Sequence, residues 1–128
     1  MRLLLDTHAF LWFVINDSSL TTAAHALIAD PTNEIFVSPA SYWEVAIKVS
    51  VGKYPLNVPF EQFFTKGIEG NDFSILPVTI RHATVLASLP MHHKDPFNRM
   101  IISQALAEQI PVLSADQAFD PHRVTRLW

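Results

Sequence analysis

Four acidic residues occupy positions where a parallel sheet would bring their carboxylates together. Asp6 follows an apolar run at residues 3–5, and Asp116 follows a second apolar run late in the chain. Asp95 begins the helical segment that leads into that second run, and Glu44 lies near the start of another helical segment. Because ligands of open α/β sheets bind beyond the carboxyl ends of the strands, we expect these four side chains to meet at that edge.

The acidic pattern indicates a particular chemistry. Carboxylates that lie together without neutralising arginines repel one another, and their pKa values rise unless a cation lies between them. Oxygen ligands favour Mg²⁺ or Mn²⁺, and such ions can activate water and stabilise both oxygens of an in-line attack on a phosphodiester. The sequence therefore predicts a Mg²⁺- or Mn²⁺-dependent hydrolase whose candidate metal ligands are Asp6, Glu44, Asp95 and Asp116.

Each of these acids also has an ordinary structural interpretation. Asp95 precedes Pro96 and would make a good helix N-cap, which is the favoured role when it is taken alone. Asp116 would start a turn through its own backbone hydrogen bonds, and Glu44 would be a solvated helix position. Asp6 is harder to explain structurally, since a carboxylate that ends a central apolar strand is costly to bury unless it is paired or coordinated. The four acids together therefore favour a functional site.

The adjacent pair His92 and His93 suggests zinc as a weaker alternative. Two neighbouring residues cannot easily ligate one ion from a helix, and in a loop such residues are more often solvated. Zinc is therefore the less favoured metal.

Apolar periodicity predicts the elements that would position the acids. The predicted strands are 2–6, 34–37, 73–76, 110–114 and 124–127, and the predicted helices are 7–15, 20–29, 39–51, 59–67, 79–89 and 95–109. Strands joined by helices favour parallel pairing through right-handed crossovers. The pattern predicts an α/β fold, a three-layer α/β/α sandwich with a short central parallel sheet, as a single domain over residues 1–128.

Composition narrows the class of protein further. The 128 residues are 49% apolar and 16% charged, which fits one compact domain and argues against disorder. There is no cysteine, so disulfides, thiolate catalysis and cysteine-ligated metals are excluded. A net charge of −3 gives no overall positive field, so any contact with nucleic acid must be local.

The apolar run at the start of the sequence ends at Asp6, which is too early for a signal peptide. No run of apolar residues approaches the roughly 18 that a membrane span needs. We expect a cytoplasmic protein without a membrane segment.

Four segments resemble, in order and in spacing, the signatures of PIN-domain proteins, and most closely the VapC-type toxins of bacterial toxin–antitoxin pairs. The segments are Leu4-Leu5-Asp6-Thr7-His8, Ser41-Tyr42-Trp43-Glu44-Val45-Ala46-Ile47-Lys48, His93-Lys94-Asp95-Pro96-Phe97-Asn98-Arg99-Met100-Ile101-Ile102-Ser103-Gln104-Ala105 and Leu113-Ser114-Ala115-Asp116. The resemblance extends from residue 2 to Trp128. It implies a metal-dependent endoribonuclease that acts on RNA, is held inactive by a cognate antitoxin and forms a homodimer.

The resemblance also assigns roles to individual residues. The acidic site falls on Asp6, Glu44 and Asp116, and the hydroxyls of Thr7 and Ser114 are expected to support these acids. The third segment departs from the pattern of this subgroup, which reads Asp-Pro-Phe-Asp-Arg, because Asn98 stands in place of the second acid. Asparagine offers one carbonyl oxygen but neither a charge nor a base. Asn98 therefore predicts reduced metal affinity or turnover, for which Asp95, one helical turn earlier, is the candidate to compensate.

Two cations flank the same segment. Lys94 and Arg99 are candidates to contact RNA phosphates, which position a substrate without reading its sequence. For Arg99, an ion pair with a nearby carboxylate is an equally good interpretation. Asn98 leaves a second function open, in which a catalytically weak PIN-type domain acts as an RNA- or protein-binding module.

Overall fold

The computed structural model describes residues 1–91 and 94–128. The two histidines considered for zinc, His92 and His93, lie outside the described residues. The strands are β1 (Arg2–Leu5), β2 (Glu34–Val37), β3 (Ser74–Ile75), β4 (Val112–Leu113) and β5 (Arg126–Leu127). The helices are α1 (Thr7–Ile15), α2 (Thr22–Ala29), α3 (Pro39–Ser50), α4 (Phe60–Glu69), α5 (Ile80–Ala87) and α6 (Pro96–Glu108), and a 3₁₀ turn covers Gln117–Phe119.

The strands form one sheet in the order β3-β2-β1-β4-β5, and every neighbouring pair is parallel. Leu5 is in register with Val37 on one side and Leu113 on the other, and Ile75 and Leu127 continue the row to both edges of the sheet. All five strands therefore end at one common edge, which we call the carboxyl edge. The predicted α/β class with a central parallel sheet is confirmed.

Helices cover both faces of the sheet because side chains alternate along β1. Leu3 and Leu5 are fully buried in a cluster with Phe10 of α1, whereas Leu4 is buried in a second cluster with Ile101 of α6. The first cluster also includes α2 and α4, and the second includes the 3₁₀ turn. The result is the three-layer α/β/α arrangement that the alternation of elements predicts.

Several elements are shorter than the apolar periodicity predicts. Threonines act as N-caps before α2 and α5. The Thr21 side chain accepts a hydrogen bond from the Ala24 backbone N–H, and the Thr79 side chain accepts one from the His82 backbone N–H. These helices therefore begin after the caps. Pro111 has no N–H to donate, and β4 pairing is confined to Val112–Leu113. The last crossover, between β4 and β5, contains a 3₁₀ turn and not an α-helix.

Within residues 1–91 and 94–128, no helix is both long and apolar enough to cross a bilayer.

A buried histidine joins α5 to α6. His82 is 1% exposed, and its Nδ1 accepts the Thr79 N–H at 3.1 Å. Its Nε2 lies 2.9 Å from Glu108 Oε2. Because Nδ1 is an acceptor, Nε2 carries the proton and donates to the carboxylate. This hydrogen bond is the main cause that lowers the pKa of Glu108 below its ordinary value of 4.5.

The lowered pKa of Glu108 predicts how stability depends on pH. The ionised carboxylate stabilises the fold above about pH 4.5, and that contribution is lost as the pH falls through the lower pKa of the folded state. Glu108→Gln should therefore reduce the free energy of unfolding at pH 7, and the difference from wild type should diminish as the pH falls below 4.5. Urea denaturation at stepped pH measures this difference, and the exposed Glu61→Gln serves as the control. A difference that stays constant as the pH falls through the acid unfolding range would contradict the prediction.

Candidate active site

Asp6 lies directly after β1, at the carboxyl edge, and is only 5% exposed. Its Oδ1 accepts the Ala9 N–H at 2.8 Å and so caps α1, and its Oδ2 accepts the Ser114 hydroxyl at 2.6 Å. Burial raises the pKa of Asp6, although the hydrogen bonds from Ser114 and Ala9 and the charge of His8 oppose that shift. The nearby charge of Asp116 raises the same pKa further. Asp6 is thus a buried carboxyl group in an environment that disfavours additional negative charge.

Ser114 connects Asp6 with the segment that carries Asp116. The Ser114 side chain is fully buried, and its Oγ accepts the Asp116 N–H at 3.0 Å while donating to Asp6. The Asp116 carboxylate is exposed, and its Oδ1 accepts the Ala118 N–H at 2.9 Å, which caps the 3₁₀ turn. One serine therefore links the buried carboxylate of Asp6 to the backbone that carries the exposed Asp116.

Arg126 of β5 holds this segment from the other side. Its guanidinium donates to the Ser114 carbonyl at 3.1 Å and to both carboxylate oxygens of Asp120, at 2.7 and 3.2 Å. A bidentate pair of this kind fixes orientation as well as charge. The pKa of Arg126 is raised, mainly by the hydrogen bond with Asp120, and the charge of Asp116 contributes. Arg126 thus contributes positive charge to the Asp116 segment and holds it by hydrogen bonds.

Glu44 enters the same edge from α3 and is 6% exposed. The buried Thr7 hydroxyl donates to Glu44 Oε1 at 2.9 Å and lies 3.0 Å from the Ser41 hydroxyl. Lys48, one turn further along α3, donates to Glu44 Oε2 at 3.0 Å. Because Thr7 follows Asp6 in the chain, the Glu44 carboxylate is fixed beside the Asp6 segment and carries its own counterion.

Asp95 and Asn98 lie at the start of α6. Asp95 Oδ1 accepts the N–H groups of Phe97 and Asn98 at 2.9 and 3.2 Å, so Asp95 is the N-cap of α6. Both residues are partly buried. The Phe97 ring contacts Trp43 of α3 with ring centroids 5.2 Å apart, which brings the start of α6 beside the helix that carries Glu44.

The two cations predicted to contact RNA differ in their surroundings. Lys94 is exposed, whereas Arg99 is partly buried and donates to the carbonyls of Leu89 and Pro90 at 3.1 and 3.0 Å. These bonds tie the first turn of α6 to the segment that follows α5. The Arg99 guanidinium therefore has a structural role, whatever it contributes to substrate binding.

The donor set at the carboxyl edge fits a divalent cation in part. It consists of oxygen atoms, and a cation between Asp6 and Asp116 would counter both the burial that mainly raises the pKa of Asp6 and the charge of Asp116 that adds to it. Glu44, by contrast, is neutralised by Lys48. Across the residues that the structure describes, no group of three Asp, Glu or His side chains lies close enough together to hold a metal ion. Asp6 and Asp116 are therefore the best supported ligands in this arrangement.

Three supporting residues were missed by the sequence interpretation. Lys48 follows Glu44 by four residues and Ser41 precedes it by three, so helical spacing alone could have found both. Arg126 is 12 residues from Ser114 and acts across the β4–β5 pair, which no local pattern reveals.

Together, the fold and these side chains define an α/β protein with an acidic site beyond the carboxyl edge of a parallel sheet. The family model of the PIN domain matches residues 3–123, and the chain therefore belongs to the PIN-domain family. No curated protein matches the chain significantly in sequence.

Several solved structures contain chains with the same fold. A chain in the structure of VapBC2 from Rickettsia felis, bound to a DNA fragment from their promoter, has a TM-score of 0.72 and 16% identity over 99% of this chain and 98% of that chain. A chain of FitAcB from Neisseria gonorrhoeae has a TM-score of 0.65 and 17% identity over 98% and 96%. A chain of VapBC-5 from Mycobacterium tuberculosis has a TM-score of 0.62 and 18% identity over 98% of each chain. The resemblance to this group is confirmed for the fold.

The hydrogen bond from Ser114 to Asp6 can be tested by removing the serine hydroxyl. Ser114→Ala should lower the free energy of unfolding at pH 7 by about 1.5–3 kcal/mol, the range for a hydrogen bond to a charged group. The loss should shrink as the pH falls, because burial raises the pKa of Asp6 and the folded state is therefore protonated at a higher pH than the unfolded state.

Ser103→Ala is the matched control for that experiment. Ser103 is also fully buried, but its hydroxyl donates to a neutral acceptor, the Arg99 carbonyl, at 2.8 Å. Its removal should cost about 1 kcal/mol without a change between pH 7 and pH 3. Equal losses for the two serines at every pH would contradict an ionised Asp6.

Proposed function

We propose that this protein is a metal-dependent endoribonuclease toxin, neutralised by a cognate antitoxin. The observation that carries the proposal is the hydrogen-bonded arrangement of three acids at the carboxyl edge. Ser114 links Asp6 to the segment of Asp116, and Thr7 holds Glu44 beside them. Two of these acids, Asp6 and Glu44, are buried and accept hydrogen bonds from buried hydroxyls. Buried carboxylates are costly for folding unless they serve a ligand, and an oxygen donor set suits Mg²⁺ or Mn²⁺.

The acids of the carboxyl edge and their hydrogen-bond donors would have different roles in metal binding. Asp6 and Asp116 would hold the cation, and Ser114 would favour the ionised form of Asp6 by donating to it. Thr7 would orient Glu44, and the Asp95 carboxylate at the start of α6 would be available as a further ligand. When bound, Mg²⁺ or Mn²⁺ activates water and stabilises the charge that develops on a phosphodiester.

RNA would approach this edge through local contacts, since the net charge of the protein is −3. Lys94 precedes Asp95 and is exposed to solvent, so it is the more accessible of the two proposed phosphate contacts. Arg99 is the second, in addition to its hydrogen bonds with the carbonyls before α6. Cations at such positions would hold the backbone of RNA without reading its bases.

The proposed antitoxin has an apolar surface available on this chain. A groove of about 700 Å³ lies between the end of α1, the loop before α4 and α4 itself. Its lining includes Val14, Tyr54, Leu56 and Phe63, with Lys66 as a cation at the border. An amphipathic antitoxin helix would cover such a groove with its apolar face. VapBC-5 from Mycobacterium tuberculosis is described as a member of the VapBC family of toxin–antitoxin systems, which supports a partner of this kind.

Self-association belongs to the same proposal. Ile80 is 87% exposed, and Ile75 and Val78, close to it in the chain, are 45% and 43% exposed. A group of exposed aliphatic side chains beside the edge strand β3 favours contact with another protein, and we propose a second copy of this chain.

The nuclease proposal predicts cleavage that depends on both metal and acids. The protein should cut RNA from a pool of tRNA and rRNA when Mg²⁺ or Mn²⁺ is present, and EDTA should stop the reaction. Asp6→Asn or Asp116→Asn should reduce the rate by at least the roughly 10–100-fold that follows loss of a supporting partner of a metal ligand. The control is Asp30→Asn, an exposed acid on the loop between α2 and β2, which should cleave like wild type. Equal cleavage by the Asp6 and Asp30 variants would refute the proposal.

Asn98 allows a separate test of the alternative, a catalytically weak binding module. Asn98→Asp adds a negative charge near the proposed site and should slightly destabilise the metal-free protein. With millimolar Mn²⁺ the sign should reverse, because a ligand of the folded state stabilises it by about 2.7 kcal/mol at one hundred times Kd. Thermal melts with and without Mn²⁺, together with the RNase assay, measure both effects. A variant that gains neither stability with metal nor activity would favour the binding module.

A further inference from the structure

An exposed tryptophan lies at the end of α3 that carries the acidic site. Trp43 is 62% exposed, although it immediately precedes the buried Glu44. Its ring meets the Phe97 ring nearly at right angles, with an interplanar angle of 86°. Phe97 in turn follows the N-cap Asp95 by two residues, and its backbone N–H donates a hydrogen bond to the Asp95 carboxylate. Trp43 thus occupies the rim between the two helix starts that carry Glu44 and Asp95.

The surroundings of Trp43 fix its ring without covering it. The edge-to-face contact with Phe97 is a favourable aromatic geometry that orients the indole. Burial of Glu44 against Thr7 fixes the backbone on which Trp43 stands. An oriented and largely solvent-exposed indole beside a site for phosphate chemistry has the properties of a stacking surface for a nucleobase.

We propose that Trp43 binds substrate by stacking against an unpaired RNA base next to the phosphodiester that is cut. The inference rests on the proposed ribonuclease function. Bases in a duplex are stacked on both neighbours and are not available to an indole, whereas unpaired bases can be. Trp43 would therefore favour single-stranded over double-stranded RNA.

A protein interface is the competing use of this surface. Ile47 and Val51 are also exposed, at 41% and 59%, and follow Trp43 at intervals of four residues. At about 1.5 Å per residue they lie roughly 6 and 12 Å further along α3, away from Glu44. Of these three exposed residues, only Trp43 lies at the end of α3 near the acidic site, and only Trp43 has an aromatic ring. The position and chemistry of the residue therefore favour RNA over a second protein.

The test compares Trp43→Ala, Trp43→Phe and Ile47→Ala in an Asp6→Asn background, so that RNA is bound but not cut. Fluorescence anisotropy of a labelled 12-nucleotide RNA, single-stranded or in a duplex, is measured in Mg²⁺. Trp43→Ala should weaken single-strand binding about tenfold or more, the scale of one base–aromatic stack, and should leave duplex binding unchanged. Trp43→Phe should restore most of the affinity, and Ile47→Ala should bind like the parent.

Intrinsic fluorescence supplies a readout that a merely structural role would not change. The chain has three tryptophans, and Trp12 and Trp128 contact each other with ring centroids 5.8 Å apart. Single-stranded RNA should quench the fluorescence of the parent, and the quenching should be much smaller in Trp43→Phe even though that variant still binds.

Several results would overturn the stacking role. The first is an unchanged affinity of Trp43→Ala for single-stranded RNA, and the second is a lack of RNA binding by all the proteins. The third is that Trp43→Ala and Ile47→Ala lose RNA affinity equally and also lose self-association equally, as measured by light scattering. Cleavage is assayed separately in proteins that retain Asp6. If RNA is cut but Trp43→Ala binds RNA like the parent, only the stacking role is refuted. If Trp43 stacks on RNA but no RNA is cut, only the nuclease function is refuted.

Discussion

The burial of the Asp6 carboxylate is the constraint on which the carboxyl edge of this protein depends. A carboxylate in an apolar environment is unstable unless hydrogen bonds or opposite charge compensate for its lost solvation. Here the compensation comes from the Ala9 N–H in α1 and from the Ser114 hydroxyl after β4. These two donors also fix α1 and the β4 segment relative to β1. The hydrogen bonds from Ala9 and Ser114 thus both stabilise the Asp6 carboxylate and position the elements that form the site.

The acids at this edge also begin helices, and this dual use has a physical origin. In a parallel sheet joined by helices, the chain leaves each strand at the carboxyl edge and then starts a helix, whose first N–H groups need acceptors. Asp6 caps α1, Ser38 caps α3, Asp95 caps α6 and Asp116 caps the 3₁₀ turn. Negative groups are favoured there by the helix dipole as well. A capping role and a metal-binding role are therefore compatible for the same side chain.

Charge compensation around the site is local and unequal. Glu44 has Lys48 on its own helix, and the segment of Asp116 is held by Arg126, whose guanidinium is paired with Asp120. Asp6 is compensated mainly by hydrogen bonds, and burial still raises its pKa. The strongest demand for an added cation therefore falls on Asp6 and its neighbour Asp116. This inequality explains why those two carboxylates support the metal proposal better than Glu44 does.

Local sequence determined the fold class and the positions from which the site is built. The leucines of β1 predict a central strand, Pro39 after Ser38 predicts the start of α3, and Asp95 before Pro96 predicts the cap of α6, because each signal depends on only a few neighbouring residues. Tertiary structure decided the rest. The contact of Ser114 with Asp6 spans 108 residues, and that of Thr7 with Glu44 spans 37. Whether an acid is buried, and which hydroxyl from a distant segment reaches it, depend on how the strands and helices pack together, and periodicity along one chain does not contain that information.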